Sequence, residues 1–359
     1  MTLARRFRSS SIKRFICSME NWTLRRFIQR DLTLVALSIL TFLSGQLVSG
    51  NPFAGQAFAA ATSPTSSIHH DTSHSRPQSF IENSLPFART ISSGVALSTT
   101  ILITAAGPVL VNTLDIELTN PHVCLKVVQA HDSLVSSDET VSSMANRTGA
   151  MAGINGDYFE VNGPGRPIGM VMINGQLLQS PASYAVLGVT TSGKLTIGSE
   201  SFFGSVTNGR ASYPLNSVNI YNEASKGNLV LITPDLGTPP RILGNHAVLL
   251  QATSAGTFIV QSAAYSTSLS ALAGQYALIG SGDAADWLTD HLHKGDHLTL
   301  HTNVAPDAHL VQAIGGGPVL IKNGARYDDP NPPNPKGITS RNPLTAISVN
   351  KDGTHAHLV

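Results

Sequence analysis

The sequence predicts an α+β fold, mainly antiparallel β with a few helices, forming a single domain after a signal peptide and a linker. Three observations point there. Short apolar runs recur from about Val95 onward, hairpin turn dipeptides stand between them, and only two segments carry helical spacing.

The N-terminal part reads as a targeting segment. Residues 1–31 hold eight Lys/Arg against Glu20 and Asp31, and the stretch from Leu32 to Ser49 is uncharged. A basic flank before an apolar run is retained on the cytoplasmic side. Ala57-Phe58-Ala59 supplies a small-x-small cleavage pattern. Residues 1–60 are therefore read as an export signal cut near Ala59/Ala60, with Met19 as an alternative start. The competing reading is an uncleaved membrane anchor through residues 32–49, which falls just short of the roughly 20 residues a spanning helix needs. Residues 61–94 are read as a flexible linker rich in Ser, Thr, His and Pro. His69, His70 and His74 there are read as solvated rather than metal-binding.

Composition excludes several classes for the remainder. Only 13% of residues are charged, and beyond residue 31 the chain has 15 basic and 20 acidic residues. A mildly acidic body does not hold a phosphate backbone by charge, so no nucleic-acid partner is expected. It also lacks a basic stripe for anionic lipid, which leaves the N-terminal segment as the sole membrane contact. Cys17 lies in the leader and Cys124 stands alone after it, so no internal disulfide staples the domain and an apolar core must hold it.

The elements follow in order. Strands are predicted over Ala96–Ile103, Val109–Leu118, Cys124–Ala130, Met170–Ile173, Tyr184–Val189, Leu229–Ile232, Ala247–Ala252, Phe258–Gln261 and Val319–Ile321. Asn174-Gly175, Ser192-Gly193, Asn208-Gly209, Asn323-Gly324 and Asp352-Gly353 supply the positive φ that tight hairpins require. Ser136-x-x-Glu139 reads as a capping box for a helix that carries Val141, Met144 and Ala145 on one face and stops at Gly149. A second helix is predicted over Asp283–His293. His297 and His301 alternate with Leu298 and Leu300, which places them on the polar face of a strand, and no zinc-type motif is present.

Three segments carry chemistry. The first runs Ala152-Gly153-Ile154-Asn155-Gly156-Asp157-Tyr158-Phe159, followed by Gly163 to Gly169. The second runs from Ala313 to Gly324 and contains Gly315-Gly316-Gly317. The third runs from Arg341 to Ile347, ahead of the Asp352-Gly353 turn. Glycines at strand ends expose backbone N–H groups in concavities that suit anionic oxygens. Arg166 and Arg341 each offer a planar fork for a phosphate or carboxylate. No Lys-Ser/Thr follows the glycine run and a strand comes next, so it is not a nucleotide loop. No G-x-S-x-G elbow supports a serine hydrolase.

In this order the segments resemble the phosphodiester glycosidase family, the N-acetylglucosamine-1-phosphodiester alpha-N-acetylglucosaminidase-like domain. The resemblance covers roughly residues 95–359 and rests on TVSSMANRTGAMAGINGDYF, RPIGMVMINGQLL, AIGGGPVLIKNG and RNPLTAISVNKDG. It implies an exported hydrolase that cleaves a sugar-1-phosphodiester and releases the sugar, with a glycosyl phosphodiester or polysaccharide as substrate. No cofactor is expected, and the metal requirement is left open. Asp157 and Arg341 are the implied catalytic residues. Asn155, Gly156, Phe159, Arg166, Gly315, Gly316, Gly317 and Thr345 are the implied substrate-binding residues. Two departures bear on activity: Leu344 stands where the family reads Arg in Arg-Thr-Ala, and the chain stops at Val359, before the family's Gly-rich Asp motif. The resemblance thus implies a C-terminally truncated member with little turnover. The alternative is a non-catalytic carbohydrate- or envelope-binding module on the same scaffold.

Overall fold

The computed structural model describes residues 87–359, apart from positions 105, 210, 243–244, 308, 331 and 333–341. The chain divides into two units, Met1–Gln78 and Ser79–Val359, and every described residue belongs to the second. The expected leader and most of the expected linker lie outside the described residues.

The described part opens with a meander of β1 (Phe87–Ser92), β2 (Val95–Thr104) and β3 (Gly107–Glu117). The expected linker therefore ends earlier than residue 94, because β1 pairs antiparallel with β2. Helix α1 (Val141–Thr148) follows. Next come β4 (Val171–Ile173), β5 (Gln176–Gln179), β6 (Ala185–Thr190) and β7 (Leu195–Ser199). After these run β8 (Ser201–Thr207), β9 (Ser212–Leu215), β10 (Ser217–Val218), β11 (Val230–Ile232), β12 (Asn245–Ser254) and β13 (Thr257–Val260). Then come β14 (Tyr265–Thr267), β15 (Tyr276–Gly280), α2 (Asp283–His291), β16 (His297–Ala305) and β17 (Leu310–Gly316). Last are β18 (Ile321–Lys322), β19 (Ala325–Arg326), β20 (Ile347–Val349) and β21 (His355–Leu358).

These strands form three main sheets. One has the order β1-β2-β3-β21-β20, one β5-β4-β17-β6-β7, and the largest β10-β11-β15-β12-β13-β16-β8-β9 with β14 added beside β12. Pairing is antiparallel except between β10 and β11. Trp287, Leu288 and Leu292 of α2 and its exit pack with Val248, Leu278 and Leu298 of the largest sheet. Ile116, Leu195, Ala356 and Leu358 form a separate cluster joined by Ile154 and Ile347, which ties the first and third sequence motifs to one core.

The glycines of all five turn dipeptides adopt positive φ, but only two dipeptides do so at both residues. Asn174 and Gly175 both adopt positive φ between β4 and β5, and Asn323 and Gly324 do so between β18 and β19. Helix α1 is capped four residues later than the capping-box reading, at Thr140 rather than Ser136: the Thr140 side chain accepts from the Ser143 N–H at 3.2 Å. The Glu139 carboxylate instead accepts from the Ser143 hydroxyl at 2.8 Å and from Arg147 Nε at 2.9 Å. The second helix ends at His291 rather than His293, with Leu292 buried as it leaves.

Two predicted strands are not formed as expected. Residues 124–130 join no ladder; the Val127 N–H donates to the Gln312 side chain at 3.2 Å. Their alternation reports burial, since Leu125 and Val127 still pack on core clusters. Of Val319–Ile321 only Ile321 pairs, because the Val319 N–H is taken by the Asp329 carboxylate at 3.1 Å.

Candidate functional site

The first two motifs converge on one carboxylate. Asp157 is itself in the left-handed region (φ 61°), which asparagine and aspartate tolerate better than most residues. Its Oδ1 accepts from the Tyr158 N–H at 2.7 Å, and its Oδ2 accepts from the Gly169 N–H at 2.9 Å. Gly169 leads into β4, and Gly315 lies on the neighbouring β17, where its N–H donates to the Met170 carbonyl at 2.9 Å.

The two glycines make the room. A Cβ on Gly169 would stand 2.6 Å from the Gly315 Cα, and one on Gly315 would stand 2.5 Å from the Gly169 Cα. Either would also press on the Asp157 oxygens at 2.9–3.0 Å. The carboxylate therefore occupies space that two side chains would otherwise fill. Enclosure raises its pKa to about 6, chiefly by desolvation, against the lowering effects of the Tyr158 and Gly169 N–H groups and the charge of Arg166. Asp157 keeps part of its surface open.

Further contacts knit the motifs together. Tyr158 Oη donates to the Gly317 carbonyl at 2.9 Å, and its ring lies 6.3 Å from that of Tyr184. A Cβ on Gly156 would meet Ile314 Cδ1 at 2.7 Å, so the Asn155-Gly156 turn sits directly on β17. Around Gly316 the direction a side chain would take is open, with no atom within 4 Å. Asn155 is exposed, as is Phe159 at 47%.

Arg166 departs from the expected anion fork. It is 4% exposed, donating from Nη1 to Gln179 Oε1 at 2.8 Å and from Nη2 to Glu160 Oε1 at 2.6 Å. Its guanidinium also lies 5.0 Å over the Tyr221 ring, and Tyr221 Oη donates to the other Glu160 oxygen at 3.0 Å. A phosphate cannot reach those donors without breaking a buried ion pair. Arg166 instead clamps the loop in which Phe159 bridges Pro167 and the Ile168 N–H donates to the Tyr158 carbonyl at 2.8 Å. Gln179 completes the clamp through the Pro167 and Gly169 carbonyls.

The third motif is placed only in part. Arg341 lies outside the described residues. Thr345 and Leu344 are exposed just before β20, whose Ile347 shares a cluster with Ile154. The residues that the sequence reading did not assign are Tyr158, Gly169, Glu160 and Gln179. Their signal was Gly169 at the foot of a strand, in the same position relative to β4 as glycines that make room for a backbone. Two surface hollows of about 470 Å³ each lie elsewhere, one lined by Ser136 and Pro164 and one by Lys194 and Asp307, and neither includes Asp157.

Comparisons with known proteins agree with this arrangement at the level of fold. A solved structure of a hypothetical protein from Synechocystis superposes with a TM-score of 0.63 at 19% identity, covering 77% of this chain and 52% of that one. A protein from Burkholderia pseudomallei whose name presumes export superposes with a TM-score of 0.53 at 18% identity, covering 70% of this chain and 61% of that one. The chain thus spans between half and two thirds of the length of these structures. No curated protein matches it. Residues 247–359, which include the Gly315-Gly316-Gly317 segment and the third motif, match the family described as phosphodiester glycosidase, the family that the sequence motifs resemble.

Proposed function

We propose that the chain is an exported hydrolase of the phosphodiester glycosidase type, acting on a sugar-1-phosphodiester. The bond that breaks joins the anomeric carbon to the phosphate oxygen. Its electron pair leaves with the phosphate, and a water oxygen takes its place on the sugar. A phosphate is a weakly basic leaving group, so an acid to protonate it matters less than in ordinary glycoside hydrolysis. Stabilising its charge with N–H donors and a guanidinium carries much of that work.

Asp157 serves as the carboxylate beside the anomeric carbon, where a cationic sugar develops. With a pKa near 6 it is mostly ionised at neutral pH yet basic enough to take a proton from the attacking water. The backbone around Gly315, Gly316 and Gly317 takes the phosphate, with the Arg341 side chain assigned to the same anion, while Asn155, Gly156, Phe159 and Thr345 are assigned to the substrate. Arg166 holds the loop rather than touching the anion. The reading is carried by one observation: two segments distant in sequence, the Asn155–Gly169 stretch and Gly315 on β17, leave Asp157 a glycine-lined space that keeps part of its surface open.

Export is supported by the basic-then-apolar leader and by the name of the Burkholderia relative. Among the described residues no helix is long and apolar enough to cross a membrane. The test is free-sugar release from a panel of sugar-1-phosphodiesters. Release that disappears in Asp157→Asn supports the hydrolase. Retention of the phosphodiester or of polysaccharide with no release supports the second reading, a carbohydrate-binding module, which the exposed Leu344 (62%) in place of a guanidinium favours.

A further inference from the structure

A second group of chemically matched side chains lies on the sheet formed by β1, β2, β3, β21 and β20. Strands β3 and β21 run antiparallel, with His357 opposite Asp115 and His355 opposite Glu117. Alternation along the ladder divides the residues into two faces. Ile116, Leu114, Ala356 and Leu358 point into the buried cluster that also holds Ile154. Asp115, His355 and His357 therefore stand together on the opposite face, each 39–48% exposed.

Their geometry is that of a ligand set. His355 Nε2 lies 3.0 Å from Asp115 Oδ1, and His357 Nε2 lies 3.1 Å from Asp115 Oδ2. The three ligand atoms fall within 4.8 Å of one another. Zinc bonds of about 2.0–2.2 Å in a tetrahedron separate neighbouring ligand atoms by roughly 3.3 Å, so a cation fits between these groups after small rotamer changes. The two imidazole rings stand at 88° to each other with centroids 5.3 Å apart, and their Nε2 atoms both meet the Asp115 carboxylate, one on each oxygen. Pairing of both strands fixes all three Cα positions, and the Leu118 N–H to Thr354 carbonyl bond at 2.8 Å closes the ladder beside them.

We propose that Asp115, His355 and His357 bind one divalent transition-metal ion, zinc above all, with water in the remaining position. Two imidazoles and one carboxylate select zinc, copper or nickel over magnesium or calcium, which require more oxygen ligands. The site shares no residue with the Asp157 centre and lies on the face of its sheet turned away from Ile154. Its role is to tie the C-terminal hairpin β20–β21 to the meander β1–β3.

The experiment is zinc titration by calorimetry and thermal melting, using the full chain with His69, His70 and His74 replaced by alanine so that the linker histidines do not contribute. One equivalent of zinc binds and raises Tm as its concentration rises, whereas magnesium does neither. His355→Ala, His357→Ala and Asp115→Asn each weaken binding by more than about 100-fold, beyond the roughly 10–100-fold that loss of a mere outer partner causes. Equal zinc binding and an equal Tm shift in the His355→Ala/His357→Ala double variant would overturn the proposal. Should a variant fail to fold, cobalt is added to the chain that retains all three ligands. Visible ligand-field bands displaced by zinc support the site, and their absence refutes it.

Discussion

The Gly169 N–H donates to Asp157 Oδ2 at 2.9 Å, while the Cα of Gly169 nearly touches that of Gly315. The same residue thus binds the candidate catalytic carboxylate and sets the spacing of the strands beneath it. Substitutions at this junction separate the two effects.

Gly315→Ala forces a methyl to 2.5 Å from backbone, which cannot swing aside as a side-chain end would. We expect a loss on the order of 1–3 kcal/mol of stability, together with loss of any sugar release. Gly316→Ala, where the added methyl meets open space, leaves Tm within about 1 °C of the parent, consistent with a surface change of under ~0.5 kcal/mol. Paired thermal melts check both.

Asp157→Asn keeps the left-handed backbone and removes the ionisation. In the folded chain the Asp157 pKa is raised from 3.8 to about 6, so folding favours the protonated acid. That contribution is fully present below about pH 4 and is lost as pH rises through about 6. The Tm of Asp157→Asn relative to the parent therefore climbs between pH 4 and 7, by an amount equivalent to at most roughly 3 kcal/mol before solvent screening. A difference that stays flat across this range would contradict the burial of the carboxylate.

Glu160→Gln leaves the Arg166 guanidinium buried without its counter-charge. Removing one partner of such a pair destabilises by about 3–5 kcal/mol, which chemical denaturation would read as a lowered midpoint. Sugar release, where the fold survives, falls because the loop carrying Asp157 and Phe159 loses its clamp.

Gly353→Ala combines a positive φ of 70° with a Cβ 2.5 Å from the Leu195 carbonyl oxygen. The Leu195 N–H also donates to the Gly353 carbonyl at 2.8 Å. The variant is expected to lose about 1–3 kcal/mol, the combined effect of strain and overpacking, and to expose the β20–β21 hairpin to proteolysis.

Much of this architecture is legible in the chain itself. Asn-Gly and Asp-Gly dipeptides mark hairpins because few other residues accept positive φ at two successive positions, as Asn174-Gly175 shows. The alternation through residues 124–130 is misleading, since burial on one side produces the same pattern whether the backbone pairs with a strand or with the Gln312 side chain. Asp157 is recognisable from its setting between glycines. The fate of Arg166 is not, because nothing local in Gly163-Pro164-Gly165-Arg166 reveals that Glu160, Gln179 and Tyr221 surround it. Partners brought together by sheet packing leave no mark in sequence spacing.

Strand β3 pairs with β2 on one side and, on the other, with β21 from the far end of the domain. Its second edge consequently stays bare during synthesis until residues 355–358 have emerged. Closing so long a loop is slow, and the half-built sheet presents a sticky template in the meantime. Assembly of this sheet is thus a late event, whereas the two other main sheets draw only on strands between Val171 and Gly316.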